Sequence, residues 1–493
     1  MSKNPPKDAQ RRILGIFKTS GIHSIGTFLN KLLLLSLVPL YSYLLPTQDT
    51  GLIGLMDTAE QFLIALLILG QGQAFVWQYK QEPDRKTLTR LVSTSVWFML
   101  LVSILGIGGL VLFASKTTPL ILNTAHPLQG LAFGWLMVGL FFRNLQSLAV
   151  NYLRADRKAI SLETANLVGT ALFVGLNFVL LAWFKVGVSA LFVTRLLLLL
   201  PVLVVAGWFI RPYLRFVWDA TLLKKMLRYG LPITITAMAY PILNFADRYM
   251  IATLLDPSGH LNGIYEISYK FGMIPSMLLV GPFLQAWQPA LYDKTDEQSR
   301  NVVYRRLLLY VTFAAAVLWL GLSVMQTELL HIFSKPAYYS GSAIIPWVAA
   351  SNVFYGLGWI VVAGLAVQAK TVFMGVWTAL AALLNILLNF WWLPIFGMMG
   401  AAYATTAAFI FIFIGFAGYS KLKLKITFPY VRWLGLCVMA VAGYGIVITL
   451  VNLTNVWLSV VVKGLLCLPV ILGMAFWVGL RNPKDLFNLL KQK

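Results

Sequence analysis

The chain has 493 residues, of which 59% are hydrophobic and only 11% charged, and its mean hydropathy is +0.78. That composition excludes a soluble globular protein of ordinary make-up. The formal net charge of +22 would suggest nucleic acid in a soluble chain; here it reads as loops facing an anionic leaflet, with no nucleic-acid partner expected.

A helix needs about 20 apolar residues to cross the hydrocarbon core, and the chain offers about fourteen such stretches. They lie at 21–45, 52–78, 91–114, 129–150, 161–184, 187–210, 230–255, 263–290, 307–330, 341–366, 371–393, 397–419, 432–452 and 455–480. In lipid the backbone must satisfy its own hydrogen bonds, so the spacing predicts an all-α, polytopic membrane protein. The first stretch leads directly into further spans and reads as a retained helix rather than a cleaved leader. Lys185–Gly187 and Pro394–Gly397 mark tight hairpins, and the longest loop on that side, about Ser115–Leu128, is nearly uncharged. Pro232 and Pro241 fall within the seventh span and are expected to bend it.

Basic clusters occupy alternate loops: Lys3–Lys18, Lys80–Arg90, Arg154–Lys158, Arg211–Arg228, Lys294–Arg306, Lys370, Lys421–Arg432 and Arg481–Lys493. The intervening loops hold only Lys116, Lys185 and Lys335. This asymmetry places the clusters, and both termini, on the cytoplasmic side. Cys437 and Cys467 fall within apolar stretches, and no His, Cys or carboxylate spacing suggests a metal. Neither a P-loop nor a nucleotide-binding domain is evident, so no cofactor is expected.

The chain repeats itself at a separation of 212 residues: Gly51 with Gly263, Lys158 with Lys370, and Asn177-Phe178 with Asn389-Phe390. Six spans fit in that offset, so the halves share one orientation and form a parallel repeat about an axis along the membrane normal. The expected division is a bundle over 1–215, a second over 216–420, and two further helices with a tail over 421–493. Two bundles so related suggest a transporter that exposes a central cavity to each side in turn.

Charged side chains inside a bilayer cost about 2.5–3.5 kcal/mol each on insertion scales and normally face protein or water. The candidates are Lys31, Asp57, Glu60, Arg143, Arg195, Asp247, Arg248, Glu266 and Lys270. Arg195 has no acid elsewhere in its span and suits a phosphate contact, with pairing to Asp57, Glu60 or Asp247 as its alternative. Lys31 has structural pairing as its alternative, and Arg143 snorkelling to the surface. Asp57 and Glu60 share a helix face and could carry protons. Glu266 and Lys270 stand in the acid-first order of an internal ion pair. Asp247 and Arg248 are adjacent and expected to point apart, leaving Arg248 for a ligand. Lys463 is expected to snorkel or pair, and His23 to be interfacial.

The run Tyr229–Pro232 through Asp247-Arg248-Tyr249, then Gly263-Ile264-Tyr265 and Lys270, resembles the polysaccharide-transporter family of lipid-linked oligosaccharide flippases. Asn385 through Asn389, Pro394, Gly397 and Gly400-Ala401-Ala402 match a second recurrent pattern of that family. The resemblance spans essentially the whole chain. It implies an alternating-access flippase of the multidrug/oligosaccharidyl-lipid/polysaccharide superfamily in a bacterial inner membrane, acting in surface-polysaccharide (O-antigen or capsule) biosynthesis. Its implied substrate is a polyprenyl-pyrophosphate-linked glycan, and its implied partners are membrane lipids and a polymerase or other assembly protein. A cavity lined by Lys31, Arg143, Arg195, Arg248 and Lys270 against Asp57, Glu60, Asp247 and Glu266 has a modest positive excess suited to an anionic headgroup. Outward movement of that headgroup is downhill by about 2.3 kcal/mol per charge per 100 mV. Two rivals stand beside this non-enzymatic reading. A cation-coupled multidrug exporter of the same superfamily would want an acid-dominated cavity. A membrane glycan polymerase or ligase would want a large external loop.

Overall fold

The computed structural model describes residues 26–81, 84–281, 283, 297–367, 371–424, 430–451 and 453–479. The expected basic clusters at 3–18 and 481–493, together with Lys294, Lys370 and His23, lie outside these residues. The described residues are 88% helical and contain no strand. In chain order the helices are α1 (Gly26–Leu44), α2 (Thr47–Ile68), α3 (Gln71–Tyr79), α4 (Arg85–Leu112), α5 (Ala114–Leu122), α6 (Gln129–Ala155), α7 (Ala159–Trp183) and α8 (Ser189–Tyr213). They continue as α9 (Ala220–Ala237), α10 (Ala239–Leu254), α11 (His260–Gly272), α12 (Glu297–Val324), α13 (Gln326–Phe333), α14 (Ile344–Val367), α15 (Thr371–Phe396), α16 (Met398–Leu424), α17 (Tyr430–Leu450) and α18 (Val456–Val478).

Among the described residues, eleven helices are long and apolar enough to cross a membrane, or twelve if α12 and α13 make one bent span. The expected spans 230–255 and 263–290 are the two that fall short of the fourteen anticipated. The first is split at Met238 into α9 and α10, and Pro241 explains the split, because it has no N–H to return to the Ala237 carbonyl one turn back. The second carries Glu266 and Lys270 in its first half, and residues 284–290 are not described. The anticipated loop at 115–128 is also different: its apolar part winds into α5, closed by Asn123 in the left-handed conformation.

Two compact units emerge from the contacts. One comprises the described residues of Met1–Glu266 with Thr378–Gly397, the other those of Ile267–Trp377 with Met398–Lys493. Among the described residues of the first, Leu52, Met56, Leu136, Leu140 and Phe192 form one apolar core, and Phe75, Met99, Tyr152, Leu162, Val202 and Met226 form another. In the second unit Leu320, Val324, Leu436, Val447 and Met474 pack α12 against α17 and α18.

The 212-residue offset reappears as a reciprocal contact inside the first unit. A Cβ on Gly51 would collide with the Gly259 carbonyl, and a Cβ on Gly263 with the Thr47 carbonyl. Thr47 and Gly259 are themselves 212 apart, so residue and partner exchange places between the repeats, as at an isologous interface. Only glycine lets α2 and α11 approach so closely. Thr47 Oγ1 and His260 Nδ1 add a 2.5 Å hydrogen bond at the same crossing, and Ala125 N donates to Pro257 O nearby at 2.9 Å. The Asn-Phe pairs also match in surroundings: Asn177 and Asn389 are buried, while Phe178 and Phe390 are exposed.

Candidate functional site: a charged chain across α2, α6 and α8

The site begins with a backbone irregularity. In α8 the helix tightens to a 3-10 turn over Arg195–Leu198, just before Pro201, whose missing N–H leaves the Leu197 carbonyl without its usual donor. The neighbouring Leu198 carbonyl accepts instead from Gln146 Nε2 on α6 at 3.2 Å. Gln146 Oε1 in turn accepts from Arg143 Nη1 at 2.9 Å. Arg143 Nε stands 3.4 Å from Glu60 Oε1 on α2, and Glu60 Oε2 is 3.6 Å from Arg195 Nη1. Arg195 Nη2 pairs with Asp57 Oδ1. Two arginines and two carboxylates thus alternate along one chain, with Tyr41 of α1 close enough to sense Arg195 and Asp57.

Of the alternatives open for Arg195, the structure realises pairing with Asp57 and Glu60. Arg143 turns inward to Glu60 and Gln146 rather than snorkelling. Asp57 and Glu60 meet the guanidinium groups from one helix face because they are three residues apart. The chain is not sealed: the Asp57 side chain is 35% exposed and that of Arg143 38%. An anion entering here would find guanidinium donors, already oriented by carboxylates, that can exchange one oxygen partner for another.

Asp247 and Arg248 do not stand apart as expected. Arg248 Nη1 lies 2.9 Å from Asp247 Oδ1, and its Nε lies 2.9 Å from Glu266 Oε2 on α11. Adjacent helical residues diverge at Cβ, but the long arginine folds back to its neighbour and donates to the Asn244 carbonyl at 2.6 Å. Tyr265 donates its hydroxyl to Asp247 Oδ2 at 2.5 Å. The Arg248 side chain is 3% exposed, so its donors face protein. The Gly54 backbone of α2 covers Glu266. Lys31 of α1 is half-buried and has no ion pair among the described residues. Lys270, one turn beyond Glu266, is also half-buried.

Sequence reasoning missed Gln146, Tyr265, Asn244 and Tyr41. Neutral side chains have no insertion penalty that would single them out. Tyr265 was visible only as a motif letter, and Gln146 only as a polar residue one turn from Arg143. Another polar group lies in the second unit, where Lys463 pairs with Glu328.

A family model described as "Polysaccharide biosynthesis protein" matches residues 42–337. No curated protein matches the chain in sequence. Among solved structures, a lipid II flippase MurJ in an inward closed conformation superposes with a TM-score of 0.74 at 16% identity, covering 92% of this chain and 97% of that one. A multidrug resistance MATE family transporter of the MOP superfamily, in an inward-facing conformation, gives 0.63 at 13% identity, covering 83% and 94%. An outward-facing structure of such a transporter gives 0.53 at 16% identity, covering 83% and 96%. At these identities the likeness is one of fold.

Proposed function

Since the chain belongs to the polysaccharide biosynthesis protein family, we propose that it is a flippase. It moves a polyprenyl-pyrophosphate-linked oligosaccharide from the cytoplasmic to the outer face of the bacterial inner membrane, by alternating access and without covalent chemistry. The observation that carries this reading is the Asp57–Arg195–Glu60–Arg143 chain, set in helices otherwise built to cross a bilayer. A pyrophosphate is matched by bidentate cationic donors, and two guanidinium groups held by carboxylates supply them. Asp57 and Glu60 keep those groups neutralised until the headgroup arrives, which lowers the cost of carrying an empty site through the membrane.

Arg195 and Arg143 are the headgroup donors in this mechanism, with Lys31 on α1, which has no ion pair among the described residues, as a third cation. Arg248 holds α10 to α11, its donors being taken by Asp247, Glu266 and Asn244. The working halves are the two repeats, 1–215 and 216–420, with 421–493 appended, and both termini are cytoplasmic. A polymerase or another assembly protein receives the product on the outer face. The test is reconstitution of the purified chain into vesicles with a fluorescent polyprenyl-pyrophosphate glycan whose exposure is read by an impermeant quencher. Protein-dependent movement that Arg195→Ala removes supports the proposal; equal movement by both proteins contradicts it.

The balance of two carboxylates and two guanidinium groups among Asp57, Glu60, Arg143 and Arg195 gives the cation-coupled exporter reading its footing. That exporter would move organic cations in the same vesicles, driven by a proton or sodium gradient and indifferent to the glycan.

A further inference from the structure

Where α12 gives way to α13 the chain bends by 64°. Three side-chain oxygens at this break, Ser323 Oγ, Gln326 Oε1 and Glu328 Oε2, are buried without a hydrogen-bond partner among the described residues. The break also ends the α12 hydrogen-bond ladder, so its last carbonyls need donors from elsewhere. One donor comes from α18, where Lys463 Nζ lies 3.1 Å from the Val324 carbonyl and 2.6 Å from Glu328 Oε1. Ser459, one turn earlier on α18, donates to the same carboxylate oxygen at 2.6 Å. Gln326 Nε2 reaches Tyr444 OH on α17 at 3.3 Å, which leaves its carbonyl oxygen over. Lys463 is 5% exposed, Glu328 6% and Ser459 1%.

A buried ion pair alone is weak ground for a function, since well-packed apolar residues often stabilise a protein as much. The surplus of acceptors is the second observation. A carboxylate, a half-helix carbonyl end and neutral side-chain oxygens gathered at a broken span are hard oxygen ligands, the chemistry by which transporters hold an alkali cation. Here the Lys463 ammonium already takes the Val324 carbonyl and Glu328 Oε1, which leaves Ser323 Oγ, Gln326 Oε1 and Glu328 Oε2 over as further acceptors.

We propose that the α12–α13 break is a monovalent-cation site filled permanently by the tethered ammonium of Lys463. The site welds α18, and with it α17, to the bent span with no free ion. It shares no residue with the Arg195 chain and does not depend on the flippase reading.

The experiment is thermal unfolding of the purified full chain and of Lys463→Ala, in sodium, potassium, ammonium and choline chloride at equal ionic strength. A ligand that binds only the folded state raises its midpoint with concentration. The wild type is expected to unfold at one temperature in all four salts. Lys463→Ala should be less stable in choline and regain several degrees, saturably, in ammonium or sodium. The double variant Glu328→Gln/Lys463→Met, which has no carboxylate to neutralise, should lose that selectivity. A Lys463→Ala protein indifferent to the cation overturns the proposal, as does an equal response in the double variant. Should Lys463→Ala fold in no salt while the double variant folds, a free ion cannot replace the ammonium, and the proposal fails. Recovery of Lys463→Ala only when extracted in ammonium or sodium supports it.

Discussion

Arg195 is held by two carboxylates at once, and that geometry decides what its substitutions do. Lysine is a point charge on a flexible stem and cannot span Asp57 and Glu60 with a planar fork. In a flipping assay we expect Arg195→Lys to retain part of the flux and Arg195→Ala to lose most of it, at equal protein levels. Loss of equal size in both would point to steric packing instead. Arg248 belongs to a different class. Removing one member of a buried charge group leaves the others uncompensated and costs about 3–5 kcal/mol. Arg248→Ala should therefore lower the unfolding temperature or folded yield sharply. Neutralising Asp247 and Glu266 together with it should restore most of that loss, and a stable Arg248→Ala single variant would refute the buried triad. At this scale the sequence revealed which residues carry charge, because each ionised side chain in an apolar span is conspicuous. It did not reveal who pairs with whom: helix spacing suggested Glu266 beside Lys270 and Arg248 alone, whereas Arg248 reaches Glu266 across a helix pair.

Helix interruptions accompany two of the charged groups, Arg195 at the tightened turn of α8 and Glu328 just after the bend that ends α12. Pro241 announced the break at Met238. The tightened turn at Arg195–Leu198 follows from Pro201, but one proline in an apolar run does not say how the turn before it will bend. The interruption between α2 and α3, where Leu69 and Gly70 are both left-handed, has little signature beyond the glycine. There a Cβ on Gly70 would collide with the Gly230 carbonyl, so backbone contact and conformation both require glycine. The bend at Met325 has no Pro or Gly at the break itself. At the α2–α11 crossing, Gly51→Val and Gly263→Val should each force the helices apart and abolish folded yield or transport. Gly108 in α4 meets nothing within 4 Å of a Cβ, so Gly108→Ala should be silent and gain slightly in helix propensity, by about 0.5–1 kcal/mol. Retention of normal activity in Gly51→Val would remove the close crossing from the fold.

Across the whole molecule, the all-α architecture was legible from apolar length. The 212-residue offset proved physical where Gly51 meets the neighbourhood of Gly263 and each contact has its mirror. The span count was less legible: helices that carry polar groups are broken and mixed in composition, and the anticipated loop at 115–128 has a helix of its own. The Lys463–Glu328 pair shows the same limit, because residues 135 positions apart have no sequence relation that would announce them. If the Arg195 and Arg143 guanidinium groups carry a lipid-linked anionic headgroup across the membrane, the amount and sidedness of polyprenyl-linked glycan must change in cells that lack the chain. Complete units should accumulate on the cytoplasmic face and be released by the wild type but not by Arg195→Ala at matched protein levels. Units accumulating on the outer face, or no change in their amount or side, would contradict it.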